Sequence, residues 1–260
     1  EYSPEEFQKN PNLWKEIVHP KDFKIIVKNY KEFYKGESKV FDVRIATRSK
    51  KEKWLQVRVI PVLDSNKKLM QINGVAIDIT ERRCMEEEIK YMAYHDILTE
   101  LPNRVQFNDY FLRTLSEAKN EKQQMAILFI DLDKFKNIND TLGHDIGDLL
   151  LKETAKRLKA SLRETDFVCR VGGDEFIILL NNITNNEVNK LAQRIVDAFK
   201  DEFVLRGNTL CVTPSIGISI YPNHGHDIET LIKKADDAMY LAKKKGKNNY
   251  QFYSPMLKDA

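Results

Sequence analysis

The most chemically loaded stretch of this sequence sets two carboxylates beside two glycines at a turn. Cys169 to Leu180 reads as two apolar runs folded back around Gly172-Gly173-Asp174-Glu175, a β-hairpin with acid at its tip. The glycines permit positive φ and keep bulk away from a ligand. The acids repel each other unless a cation sits between them, which points to a divalent metal and, with it, a phosphate. An ordinary acidic hairpin turn is the plain alternative. About forty residues upstream, Met125 to Ile130 is an uninterrupted apolar run ending in Asp131-Leu132-Asp133. Such a run suits a central strand, and it puts Asp131 and Asp133 on the same side of the strand end. A strand-end and a hairpin-tip carboxylate on adjacent strands would form a two-metal site, in which ions about 4 Å apart clamp the attacking and leaving oxygens of an in-line displacement.

The elements that must position these acids alternate between helix and strand. The spacing predicts helices over 105–119, 147–160, 186–200 and 228–245. It predicts strands over 125–131, in the hairpin, as a pair around 203–205 and 210–221, and at 250–253. Helices mixed with central hairpins mean an α+β domain with a largely antiparallel sheet. Ahead of it, residues 1–80 read as a smaller domain. A helical pattern runs from Pro4 to Val18, a second from Asp22 to Phe33, and three period-two strands cover 40–45, 53–61 and 70–79, joined by polar turns. Trp54 on the middle strand is expected in the core. Residues 81–93 contain neither Gly nor Pro and space Met85, Ile89 and Met92 by four and three. That is a helical linker with a narrow apolar seam, suited to packing on its own domain or to a coiled-coil dimer.

Composition narrows the classes. With 42% hydrophobic and 31% charged residues in 260, the chain is globular and long enough for two modest cores. Its 42 basic and 39 acidic side chains leave a net +3, too balanced for a nucleic-acid coat. Cys84, Cys169 and Cys211 have no metal-ligand spacing and fit a reducing cytosol. No apolar run approaches the ~18 residues of a membrane span, and no signal peptide opens the chain, so no membrane contact is expected from this segment and a cytoplasmic location is. A start at Glu1-Tyr2-Ser3-Pro4 without an initiator Met also suits the cytoplasmic part of a longer, membrane-anchored sensor.

Longer motifs then line up in order: Asp96-Ile97-Leu98-Thr99-Glu100-Leu101-Pro102-Asn103-Arg104; Phe129 to Asp140; Gly143-His144-Asp145-Ile146-Gly147-Asp148; Arg170 to Phe176; Ser215-Ile216-Gly217-Ile218-Ser219; and Ala235 to Lys243 with Gly246-Lys247-Asn248. Together they resemble the GGDEF domain of diguanylate cyclases over roughly 94–254, within a cyclase domain taken as 94–260. Residues 1–80, through His19-Pro20-Lys21-Asp22, the Trp54 strand and Asp78-Ile79-Thr80-Glu81-Arg82, resemble the C-terminal part of a PAS sensor domain, whose first two strands would lie ahead of Glu1.

The resemblance implies a palm-like fold and a reaction, condensation of two GTP molecules into cyclic di-GMP with release of two pyrophosphates, carried out by a homodimer. It implies Mg2+ (or Mn2+) held by Asp131, the Leu132 carbonyl and Asp174 or Glu175, with Asp174 at the catalytic position near the 3′-hydroxyl. Guanine would be read by Asn139 and Asp148, which otherwise read as a turn or helix cap and a helix-start acid. Phe135 and Lys136 would lie beside the phosphates, with His144, Gly172 and Gly173 as further substrate contacts. Lys243 and Lys247, four apart on one face of the last helix, would contact the triphosphate. Lys247 stands where the family usually has Arg, and so lacks the bidentate fork. Arg163-Glu164-Thr165-Asp166 matches the family's RxxD motif, with Arg194 as its second arginine, and implies inhibition by cyclic di-GMP. Glu100 replaces a Gly frequent in the family. The alternative is a catalytically weak domain that acts as a GTP or cyclic di-GMP receptor.

Overall fold

The computed structural model describes residues 1–255. Its contacts divide the chain into two compact units, Glu1–Lys90 and Tyr91–Ala260.

The first unit carries helices α1 (Pro4–Lys9), α2 (Leu13–Ile17) and α3 (Phe23–Phe33) ahead of an antiparallel sheet of β1 (Lys39–Ala46), β2 (Glu52–Leu63) and β3 (Leu69–Asp78), in that spatial order. Pro4 to Val18 is thus two short helices rather than one. Ser3 and Glu6 form a reciprocal capping box at the start of α1, which ends at Asn10 in a non-helical conformation, and Pro11 follows where a helix could not continue. Arg44 of β1 grips Asp22 through Nε at 2.8 Å and Nη2 at 2.7 Å. The Arg44 hydrogen bonds hold the Asp22 carboxyl down at about 2 against the opposing effect of burial. Trp54 is not in the core. It is half-buried, with the guanidinium carbons of Arg44 and Arg83 at 5.3 and 4.9 Å from its ring, so two cations cover the indole where apolar neighbours were expected.

Helix α4 (Thr80–Tyr94) follows, with Met85, Ile89 and Met92 all more than half exposed. Among the described residues no helix is long and apolar enough to cross a membrane.

The second unit is a three-layer α+β domain. Its elements run α5 (Arg104–Glu121), β4 (Met125–Leu132), α6 (Phe135–Leu142), α7 (His144–Ala160), β5 (Phe167–Gly172), β6 (Glu175–Asn181), α8 (Asn185–Ala198), β7 (Phe203–Leu205), β8 (Asn208–Leu210), β9 (Pro214–Tyr221), α9 (Ile228–Lys244) and β10 (Asn249–Phe252). The main sheet has the order β10-β9-β4-β6-β5. It is antiparallel except for the parallel pair β10 and β9. β4 and β9 are buried along their whole length, which is why the first reads as a continuous apolar run. One face packs Leu128, Ile130, Phe176 and Ile178 against α7 and α8; the other packs Ile127, Phe129, Ile177 and Leu179 against α5 and α9.

One assignment changes and one helix is added. The expected strand pair around 203–205 and 210–221 separates: β7 pairs with the short β8, while β9 begins at Pro214 and joins the main sheet. The segment after Asp133 is the two-turn helix α6, too short for its period to stand out from the sequence. A close approach fixes α9. A Cβ on Gly217 of β9 would meet the Ala235 carbonyl at 1.9 Å and the Met239 nitrogen at 2.2 Å, so only glycine lets the last helix lie this low on the sheet.

Candidate active site

The hairpin joining β5 and β6 pairs Gly172 with Glu175 and leaves Gly173 and Asp174 as a two-residue tip, with Gly173 at φ +54°, the left-handed conformation such a tip favours. A register shift between Arg170 and Gly172 marks a bulge at Val171, which re-aims the strand end. The tip is tied down from below. Arg170 donates through Nε and Nη2 to the Gly173 carbonyl at 3.0 and 2.7 Å, and through Nη1 to both oxygens of Asp96 at 2.9 and 3.0 Å. Asp96 also accepts from the Thr99 amide and hydroxyl. Burial pushes its carboxyl up, but the bonds from Thr99 and Arg170 prevail and the net shift is downward. The motif that opens the domain thus braces the acidic tip, a role that neither Asp96 nor Arg170 was assigned from sequence.

Asp131 and Glu175 are direct register partners on β4 and β6 and therefore share the face carrying Phe129 and Ile177. Asp131 is 9% exposed. Burial is the main cause raising its pKa, the charges of Asp174 and Asp133 add to it, and Lys243 opposes them. Glu175 is raised by burial and by Asp131, Asp236 and Asp174, again with Lys243 opposing. Lys243 of α9 reaches Asp131 with Nζ 2.6 Å from Oδ2. Glu175 also lines a cavity of about 510 Å³ together with Arg104, Asn108, Lys233 and Asp236.

Among the described residues no three His, Cys, Asp or Glu side chains are gathered closely enough to hold an ion by themselves; Asp131, Asp174 and Glu175 are therefore not a preassembled cage. The donor chemistry nonetheless fits a hard divalent cation. Two carboxylates face each other with raised pKa values, Lys243 offsets them in part, and they are oxygen donors throughout. Because the Asp133 amide donates to the Thr213 carbonyl, just ahead of β9, at 2.9 Å, alternation turns the Leu132 carbonyl toward the hairpin side. Asp133 itself is engaged elsewhere, accepting from Thr213, Ser215 and the Asn248 amide.

The other expected contacts surround this pair. Phe135 and Lys136 open α6, whose N-cap Lys134 has φ +65° and provides no side-chain cap, leaving first-turn amides for an anion. His144 and Asp148 lie exposed on the first turns of α7. Asn139 buries its Oδ1 without a hydrogen-bond partner in the space beside Gly147. Lys247 is not on the last helix. α9 ends at Lys244, and Gly246, Lys247 and Asn248 follow with φ of +108°, +64° and +50°. The spacing of four from Lys243 spans a helix terminus instead of a helical face.

The RxxD segment is a turn in which the Arg163 amide donates to Asp166 Oδ2 at 2.9 Å. The Arg163 guanidinium lies 3.4 Å from Glu187, and Arg194 donates to the Ser161 carbonyl at 2.5 Å.

The profile of the family described as "Diguanylate cyclase, GGDEF domain" matches residues 93–249. The chain belongs to the GGDEF family. A "PAS fold" profile matches residues 1–76. The GGDEF chain is 41% identical over 202 residues to the signaling protein YkoW of Bacillus subtilis, covering 77% of this chain and 25% of YkoW. It is 43% identical over 169 residues to the cyclic di-GMP phosphodiesterase NbdA of Pseudomonas aeruginosa, covering 65% of this chain and 22% of NbdA. It is 40% identical over 163 residues to the diguanylate cyclase TpbB of the same species, covering 62% and 38%. The solved GGDEF domain of TpbB superposes with a TM-score of 0.62 at 38% identity, covering 63% of this chain and 96% of that one. The chain spans well under half the length of these curated relatives.

Proposed function

We propose that this protein is a diguanylate cyclase that condenses two GTP molecules into cyclic di-GMP and two pyrophosphates. The observation that carries the reading is the pairing of Asp131 with Glu175 across β4 and β6, with Lys243 against Asp131, in a chain of the GGDEF family. It concentrates negative charge where phosphate must be bound, which only a cation can reconcile. Asp131, the Leu132 carbonyl, Asp174 and Glu175 would hold a divalent ion, Mg2+ or Mn2+. Bound there, it would neutralise the α-phosphate and acidify the attacking 3′-hydroxyl.

The residues divide the remaining work. Asp174, at the hairpin tip, orients the 3′-hydroxyl and accepts its proton. The α6 amides after Lys134, together with Phe135, Lys136, Lys243 and Lys247, hold the triphosphate. The bare Gly172 and Gly173 admit it, and His144 completes the rim. The NH₂ of Asn139 donates to guanine O6 or N7, while Asp148 accepts from N1–H and N2–H₂. Two such half-sites must face each other, and the exposed Met85, Ile89 and Met92 on α4 supply a seam for a homodimer. Residues 1–80 act as sensor, 81–93 as linker and 94–260 as the cyclase. Because GTP is a cytosolic nucleotide, the site works in the cytoplasm. Cyclic di-GMP returns to Arg163, Asp166 and Arg194 as an inhibitor.

The test is to incubate purified protein with GTP and Mg2+ and follow cyclic di-GMP by chromatography, alongside Asp174→Asn and Glu175→Gln. The parent is expected to form it and both variants to lose it. Turnover within tenfold of the parent in either variant, a change of only ~1.4 kcal/mol in the barrier, contradicts the assignment.

A further inference from the structure

Asp133 is a carboxylate that the chemistry above does not use, yet it is 5% exposed and fully engaged. Its Oδ1 accepts from Ser215 Oγ at 2.8 Å, and its Oδ2 accepts from Thr213 Oγ1 at 2.6 Å and from the Asn248 amide at 3.2 Å. These bonds join three separate pieces of chain: the end of β4, the start of β9 and the turn after α9. The third piece requires explanation, because Lys247 and Asn248 both adopt left-handed φ, and a run of such residues without a cost offset elsewhere is unfavourable. The turn is gripped at three points. The Lys247 amide donates to the Ala242 carbonyl at 3.1 Å, the Asn249 side chain donates to the carbonyls of Lys247 and Ala242, both at 2.8 Å, and Asp133 takes the Asn248 amide. Of these, only the Asp133 bond connects the turn to the segment leading into α6.

We propose that Asp133 is a positioning residue for triphosphate binding, fixing the backbone of Lys247 relative to the Lys134–Lys136 amides so that one anion meets both. The inference rests on the reading of Lys247 as a phosphate contact. The side-chain bonds of Asp133 run to Thr213, Ser215 and Asn248 and not to Asn139 or Asp148, so its removal should be felt by the phosphates and not by guanine. A residue needed only for folding would weaken both.

The experiment measures, by calorimetry on the full chain with Mg2+, binding of the α,β-methylene analogue of GTP and of guanosine. For Asp133→Ala the analogue should bind roughly tenfold more weakly, the scale of a single charge-assisted hydrogen bond, with guanosine unchanged. Asp133→Asn keeps an acceptor for the Asn248 amide and should restore most of the affinity. In a Lys247→Ala background, Asp133→Ala should add nothing further. If Asp133→Ala does not fold, Asn249→Ala releases the same turn from its other side and should give the same split between the two ligands. Equal weakening of both ligands, or no weakening of the analogue, overturns the inference. A parent that binds neither ligand overturns instead the assignment of the site to GTP.

Discussion

Lys243 Nζ lies 2.6 Å from Asp131 Oδ2, so a cation in the last turn of α9 is committed to an acid on the central strand. The pairing is possible because Gly217 lets α9 rest directly on β9. Lys243 is also the group that opposes the upward shifts of both Asp131 and Glu175. The same lysine therefore serves folding and, in the proposed reaction, phosphate binding.

Lys243→Met should weaken GTP binding and also destabilise the fold in a pH-dependent way. Without the lysine the Asp131 pKa rises further above its unfolded value, and an acid with a raised folded pKa favours folding only while it is protonated. The destabilisation should be full near pH 7 and shrink as pH falls toward about 4, the ordinary carboxylate range. Thermal melts of parent and variant across that interval test the sign, and a pH-independent difference contradicts it.

Glu175→Gln should do the reverse to stability while removing activity. Burial and the neighbouring acids raise the Glu175 pKa, so its ionised form costs stability above the unfolded pKa and costs nothing once protonated. The variant should melt higher than the parent near pH 7 and level with it near pH 4. A variant that melts lower than the parent at neutral pH contradicts the raised pKa and the crowding of acids that causes it.

Arg170 is expected to matter beyond its distance from any reacting atom. Its side chain is 11% exposed and joins Asp96 to the Gly173 carbonyl. Arg170→Ala should cost about 1.5–3 kcal/mol of stability, the usual range for charged hydrogen bonds, and should reduce turnover at saturating GTP, because the tip carrying Asp174 loses its brace. Denaturant melts and steady-state kinetics check both effects, and unchanged kcat removes the bracing role.

Product inhibition should respond to a competitor seen in the fold. Arg163 faces Glu187, which also caps α8, so a guanine at Arg163 must displace a carboxylate. Arg163→Ala should relieve inhibition by added cyclic di-GMP. Glu187→Gln, which keeps the capping geometry, should deepen it by a few fold, as expected for removal of an exposed ion pair. Dose–response curves with product removed enzymatically in the control separate these outcomes. Unchanged inhibition in both variants leaves the Arg-x-x-Asp as a surface turn.

Long apolar periods and the ordered motifs make the second domain legible in the sequence, because β4 is buried on both faces and the hairpin tip needs both glycine and acid. The Asp131 and Glu175 pairing follows from the same logic, since a strand end and a hairpin tip on neighbouring strands must meet. What spacing does not carry is short-range geometry that overrides it. α6 is too brief to show a period, and the intervals from Pro4 to Val18 and from Lys243 to Lys247 both look helical although a helix ends within each. The roles of Arg170, Asp96 and Asp133 depend on contacts between residues 74 to 115 positions apart, and no local pattern carries these. Trp54 departs from the expected core position for a related reason, because Arg44 and Arg83 rather than apolar residues cover its ring.

The most direct test of the account is the product balance when GTP and Mg2+ are given to the parent and to Glu175→Gln at equal concentration. The account predicts one cyclic di-GMP and two pyrophosphates for every two GTP consumed by the parent, with a rate per protomer that rises with protein concentration as the dimer forms, and no product from the variant. Consumption of GTP to GDP and phosphate, or binding of GTP with no turnover at any concentration, would contradict it.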